Sequence, residues 1–490
     1  MANSVIYNKF RQTNLARFIA SLDNNPLYMG VGRPYFWNPV ASNENILNTN
    51  NSIKNEMLDW EDMMFMKRIY QDDVAYGIRH ITWTAGERYD QYRTDWNGAR
   101  KSVYDSTFPT SISESASFVV NDVNDLYVCL KQPASIAGEI PMSVDSPETG
   151  VDVGVGTGIL KTSDGYYWKY MATATSDMII KFASTITGDG RTYMFYPVKT
   201  LPVDDASKQW DSQVLSANYK GGIYAINILS QGSGYNGGTA GSVSVTDAKT
   251  NDYITVVGDG SGLEFNITYG SSGVIVDIEV TNPGSGYTHA YIDAKPGGSS
   301  GTGFVAEAII TSPSGLGCDP IKDTDAVYLL LSSEIEADDG SGYNKVTSSN
   351  DYRKISIVSN PLQFGSVDIY LTNDIVDCTT TLLLDIGAGT FVPDEIVIVD
   401  NLGIKARVVD YDSANRRLRV IRTSSENENS PGASLNYAPG QTINTNTATI
   451  SSVSPQMNEP FSGDIIYSEY RVPIQLAPNT PSHIHCVIQF

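Results

Sequence analysis

Residues 221–312 are dense in glycine and serine, and they repeat. Ile223-Tyr224-Ala225-Ile226-Asn227-Ile228 precedes Gly232-Ser233-Gly234-Tyr235, and 52 residues later Val274-Ile275-Val276-Asp277-Ile278-Glu279-Val280 precedes Gly284-Ser285-Gly286-Tyr287. After each copy a second glycine-rich turn leads into a further strand, Gly258 to Tyr269 and then Gly297 to Ile310. A unit this short cannot bury an apolar face alone, so the duplication predicts a β module of two similar units packed on each other. The glycines provide the positive-φ turns that such hairpins need.

The same alternation of short apolar runs with Gly, Asn, Asp and Ser turns fills most of the chain after about residue 75. Leu126 to Leu130 and Tyr166 to Tyr170 are examples, and both read as strands. A second β block spans 366–456. It holds the strand Asp394 to Asp400, a hairpin of Lys405 to Asp410 and Arg416 to Thr423 closed around Asp412-Ser413-Ala414-Asn415, and a polar loop from Ser424 to Pro439. Helical spacing is confined to the start. Leu15, Phe18, Ile19 and Leu22 form one stripe and Ile53, Met57, Trp60 and Met64 a second, with a short strand at Leu27 to Val31 between them. The expected fold is therefore mainly β (α+β) and multi-domain, with short helices near the N-terminus and an antiparallel β core carrying two β-rich insertions. A length of 490 residues fits two to four domains. The segmentation is a discontinuous core of 1–219, 319–365 and 457–490, a glycine-rich insertion at 220–318 and a second insertion at 366–456.

Charge removes several function classes. With 33 basic and 55 acidic residues the net charge is -22, which repels nucleic acid and anionic membrane surfaces. The densest basic run, Arg416-Arg417-Leu418-Arg419, reads as the face of a short strand. Cys129, Cys318, Cys378 and Cys486 are far apart and predict reduced thiols, neither a disulfide framework nor a zinc site. Met1 to Arg11 is polar, so no signal peptide is expected, and no apolar run is long enough for a membrane span.

Four motifs invite chemistry, and each has a plainer reading. Leu382-Leu383-Leu384-Asp385-Ile386-Gly387-Ala388-Gly389-Thr390 is similar to the first glycine loop of S-adenosylmethionine-dependent methyltransferases. Phe391 stands at the third glycine's place, however, and a strand follows where a helix should supply free N–H groups. Gly297-Gly298-Ser299-Ser300-Gly301 matches a nucleophile-elbow string but sits in a Gly/Ser turn between strands. His483 and His485 share one face of a strand, where two ligands could hold an adventitious metal and a solvated or inter-subunit face is the plainer reading. Glu334, Glu336, Asp338, Asp339 and Gly340 lack calcium-loop spacing. No catalytic residue, cofactor site or metal site is therefore assigned, and a structural or binding role is favoured.

Several segments, in order and reaching both ends of the chain, carry a resemblance. They are Val5-Ile6-Tyr7 to Arg11, Met29-Gly30-Val31-Gly32-Arg33-Pro34 with Trp37, Trp60 to Met64, Trp83 to Tyr89, Ser163-Asp164-Gly165-Tyr166-Tyr167-Trp168-Lys169-Tyr170, Ile355 to Leu362, Ser462 to Tyr467 and Arg471 to Ile474. Together they resemble the baseplate wedge subunit encoded by gene eight of T-even-type contractile-tailed phages. The resemblance covers roughly 1–215, 320–365 and 457–490, and the two β blocks are excess over it. It implies a virion protein assembled in the host cytoplasm, a homodimer that contacts other wedge subunits and fibre-attachment proteins, and a mechanical role without catalysis. Arg33, Pro34, Trp37 and Trp168 lie in the family-like segments and are the candidate interface residues, with packing inside the protein as their plainer role. The alternative is a tail-associated carbohydrate-binding module that recognises host glycans through exposed aromatic clusters on the insertions.

Overall fold

A computed structural model describes residues 6–34, 49–134, 139–153, 157–188, 191–198, 208–294, 301–311, 313–337, 346–348, 350–371, 375–385, 389–399, 404–422, 437–444 and 448–490. The fold is mainly β, with a few short helices. The chain forms two compact units, each discontinuous: Met1–Ala16 with Ala75–Leu330 and Cys486–Phe490, and Arg17–Val74 with Leu331–His485. Each unit takes one of the two β-rich blocks, and the family-like segments are shared between them.

The first unit is built on a sheet running from Val74–Thr82 through Phe118–Val120, Asp125–Lys131 and Tyr167–Thr173 to Ile159–Lys161 and Val151–Asp152. Arg191–Val198 also pairs with Val74–Thr82. One pairing departs from the antiparallel expectation, because Ile81 and Thr82 run parallel to Val119 and Val120. The long connection between them, residues 83–117, lets the chain return in the same direction. Asp125–Lys131 is buried on both faces, which is why it reads as an unbroken apolar run. Leu126, Val128 and Leu130 join Met171 and the glycine-rich module in one core. Tyr127 and Cys129 point the other way, into an aromatic core with Tyr89, Tyr166 and Trp168. Asp164 makes the turn that launches the Trp168 strand. One oxygen accepts from Thr162 Oγ1 (2.5 Å) and the Tyr166 N–H (3.2 Å), the other from the Val144 N–H (2.8 Å).

The repeat is interlocked. The strands Ile223–Ser233 and Ile275–Ser285 each open a copy, and each pairs with the last strand of the other copy, Thr302–Ile310 and Ser261–Tyr269 respectively. The backbone keeps the 52-residue symmetry. Gly234 N–H and Tyr235 N–H donate to the Ser272 and Gly273 carbonyls, while Gly286 N–H and Tyr287 N–H donate to those of Lys220 and Gly221. Gly221 (φ 62°) and Gly273 (φ 63°) are left-handed. A Cβ at Gly273 would lie 2.0 Å from the Tyr235 oxygen, and one at Gly221 2.8 Å from the Tyr287 oxygen, so both sites exclude a side chain. The module is bolted to the sheet by Lys131, which donates to Asp277 and to the Ile278 carbonyl, and by Lys161 with Glu279 at 2.9 Å.

Beside that junction Lys169 is fully buried without a carboxylate in ion-pair reach among the described residues. Its Nζ donates to the Thr157 carbonyl (3.2 Å) and lies 5.3 Å from the Tyr224 ring centroid. Desolvation pulls its pKa down to about 8, with Asp152 and Asp323 opposing. A folded-state pKa below the unfolded one means that the unfolded chain binds more protons between the two values. Stability from this group therefore rises as pH climbs from about 8 toward the ordinary lysine range. Lys169→Met should stabilise the first unit by about 1–3 kcal/mol at neutral pH. Urea denaturation of both proteins across this range checks it, and the gap between them should close as pH rises.

The second unit joins a five-stranded antiparallel sheet to a closed barrel. The sheet order is Val376–Asp377, Met63–Ile69, Leu27–Gly32, Asp351–Ser359, Asp464–Gln475. The barrel runs Thr380–Leu384, Arg417–Arg422, Ile404–Asp412, Ile396–Val399, Thr442–Ile443, Ala448–Ser454. Its own core includes Leu382, Leu384, Val397, Val399, Val408, Leu418, Val420 and Ile450. The expected hairpin around Asp412–Asn415 is two of its strands, with Arg416 at φ 56° in the turn. Most of the polar loop from Ser424 lies outside the described residues.

The second helical stripe is corrected. The helix Ile53–Glu61 leaves Ile53 and Met57 exposed, and Met64 belongs to the strand Met63–Ile69. Met63, Met64, Phe65 and Met66 are buried together in the sheet, and that burial outweighs the helical spacing.

Candidate assembly site

Arg33 follows the strand Leu27–Gly32, and both terminal nitrogens of its guanidinium are engaged. Nη1 donates to Asp351 (3.0 Å) and Asn350 Oδ1 (3.2 Å), and Nη2 to Asp394 (2.6 Å). Behind it lies a buried network. Lys354 binds Asp59 and, at 3.3 Å, Asp62. Arg407 Nη2 reaches Asp62 Oδ1 (3.4 Å) and the Arg33 carbonyl (2.8 Å), and Nη1 reaches Asp394 (3.5 Å). Arg353 binds Asp351. Among the described contacts, four cations face four carboxylates. Desolvation raises the Asp62 pKa against the pull of Lys354 and Arg407. Despite the same desolvation, Asp62 and Asp59 hold the Lys354 ammonium above its ordinary value. These ions tie the helix, the sheet and the barrel of the second unit together.

Arg33 is thus a structural tie. Pro34 is buried beside it, and Trp37 lies outside the described residues. Trp168 is 0% exposed between Tyr89 and Tyr166, with ring centroids at 5.7 and 5.6 Å. It has no exposed atom to offer a partner, so its role is packing. Of the motifs weighed for chemistry, Phe391 packs in the barrel core and the next described element is the strand Ile396–Val399. Gly297 to Ser300 lie outside the described residues. The His483 and His485 rings stack at 6.0 Å, and no third ligand joins them among the described residues. Glu334 and Glu336 are exposed, while Asp338 to Gly340 lie outside the described residues.

Among the described residues, one stretch that exposes several apolar side chains is the hairpin Pro361–Leu371 of the second unit. Phe364 is 45% exposed, Val367 89% and Leu371 66%. The backbone beneath them is clamped. Gln363 N–H donates to the Asp368 carbonyl, Tyr370 N–H to that of Pro361 and Phe364 N–H to that of Met457. Gly365 N–H donates to Glu459 Oε2 (2.8 Å), Leu362 N–H to Ser462 Oγ (2.9 Å), and Tyr28 Oη to the Tyr370 carbonyl (2.9 Å).

Beside the hairpin a cleft of about 230 Å³ opens between barrel and sheet. Its wall is formed by Trp60, Met63, Cys378, Tyr437, Phe364 and Phe461. Sequence reasoning missed it because its lining comes from six separate stretches. Of the apolar residues Phe364, Val367, Ile369 and Leu371 in that turn-rich hairpin, Phe364 lines the cleft.

The outer strand Asp464–Gln475 carries Pro473 and a bulge opposite Arg353, and both discourage edge pairing. Among the described residues no helix is long and apolar enough to cross a membrane. No family model matches the chain, and no curated protein matches it.

Proposed function

We propose that this chain is a structural, non-catalytic subunit of a contractile-tail baseplate wedge. It acts as a homodimer in the virion, joining neighbouring wedge subunits and fibre-attachment proteins and moving with them when the baseplate rearranges. The family-like segments in order along the chain support the specific reading. The observation that carries an assembly role is the clamped apolar hairpin. Exposed apolar side chains grouped on one hairpin favour docking, and a backbone already fixed in place lowers the ordering cost of binding. The glycan alternative asks for an exposed aromatic cluster on the glycine-rich module. Among its described residues only Tyr291 is an exposed aromatic.

The test is a double variant, Val367→Asp with Leu371→Asp. Both side chains are exposed, so the fold should stay within about 0.5 kcal/mol of the native stability. Association with wedge neighbours should weaken at least tenfold by titration calorimetry. Unchanged association would remove the hairpin from the interface.

A further inference from the structure

The cleft beside the hairpin is apolar but not purely so. Asn458 is 3% exposed, lines the cleft, and has a side-chain oxygen with no hydrogen-bond partner. Leaving such an acceptor dry costs about 1–3 kcal/mol, a penalty that a donor entering the cleft would remove. The described lining residues include two carboxylates, Glu61 and Glu459, and no lysine, arginine or histidine. One Glu459 oxygen is already taken by the Gly365 N–H. At about 230 Å³ the cleft falls below the roughly 300–1,000 Å³ usual for cofactor-sized ligands. One large side chain suits it better.

Phe461 forms one wall from a left-handed backbone, φ 58°. A bulky aromatic held there costs about 1–2 kcal/mol, and the turn that holds it also carries Ser462 Oγ, donating to the Glu459 carbonyl at 2.6 Å. The wall is set in place before any partner arrives.

We infer that the cleft is a socket for a tryptophan side chain presented by a basic segment of a partner protein. The indole ring fills the apolar space, its N–H donates to Asn458 Oδ1, and a flanking lysine or arginine meets Glu61 and Glu459. Tryptophan, tyrosine and arginine are enriched among the anchors of protein interfaces, and of the aromatic two tryptophan has the larger volume and an N–H donor. The inference rests on the assembly reading only in that a protein delivers the side chain.

The full-length protein is titrated with N-acetyl-tryptophanamide and with N-acetyl-2-naphthylalaninamide, which matches it in size but lacks the N–H, and binding is read by saturation-transfer NMR. The tryptophan probe should bind about tenfold more tightly. Asn458→Leu should abolish that preference while keeping naphthyl binding. Phe461→Gly suits its backbone and should lose both probes with the melting temperature unchanged or higher. Acetyl-Trp-Lys-amide should bind better than acetyl-Trp-Glu-amide, with a margin that shrinks as salt rises. Equal affinity for the two aromatic probes, binding of neither, or a preference that survives Asn458→Leu would overturn the socket. Probe selectivity without any wedge complex would keep the socket and lose the baseplate reading, so the two fail separately.

Discussion

Replacing Lys354 by methionine should cost the second unit about 3–5 kcal/mol at neutral pH, since removing one member of a buried ion network strands its partners. Lys354 is buried between Asp59 and Asp62, and methionine of similar length fills the space without the charge. The pH dependence gives a second readout. The folded-state pKa of Asp62 is already raised by burial, so the folded protein holds a proton that the unfolded chain releases between the ordinary aspartate value and the raised one. Stability from this group falls as pH rises through that window. Without Lys354 the window widens upward, and the variant should recover stability as the solution is acidified. Chemical denaturation from pH 4 to 8 measures both effects. The double variant Asp59→Asn, Lys354→Met should return most of the loss, because it removes one charge from each side and leaves Asp62 paired with Arg407. A single-variant loss below about 1 kcal/mol would mean that the network is solvated and does not fix the barrel to the sheet.

Trp168→Ala should be as damaging to the first unit, at about 3–5 kcal/mol. Its ring packs against Tyr89 and Tyr166 in a cluster with Tyr127 and Cys129, and alanine would leave a cavity there. Trp168→Phe should cost far less. The indole N–H has no hydrogen-bond partner, so losing it also removes a desolvation penalty. Urea denaturation compares the two. Equal losses would contradict the account, because they would place the cost in the N–H and not in the volume. Association with partners should be the same in Trp168→Phe as in the native protein.

The elements most legible in the sequence were those whose cause is local. The repeat could be read because each copy carries its own strand and glycine turns, and Leu126 to Leu130 because burial on both faces leaves an unbroken apolar run. The stripe Ile53, Met57, Trp60, Met64 misled because Met64 falls in the strand Met63–Ile69, which pairs with Leu27–Gly32. The barrel's strands were visible singly, but closure depends on Thr380–Leu384 pairing with Ala448–Ser454, which spacing along the chain does not encode. The site was least legible. Lys354 and Asp62 are 292 positions apart, and the cleft gathers Trp60, Cys378, Tyr437 and Phe461 from stretches that individually look like ordinary core and turn. Arg33 and Trp168 drew notice because they are large and lie in family-like segments, but size and context do not distinguish a packing residue from a docking one.

The most direct test of an assembly role is the solution mass of the purified protein by light scattering, alone and after mixing with candidate wedge neighbours. The account predicts a stable dimer that shifts to a larger complex of defined mass. A monomer whose mass is unmoved by those neighbours would contradict it.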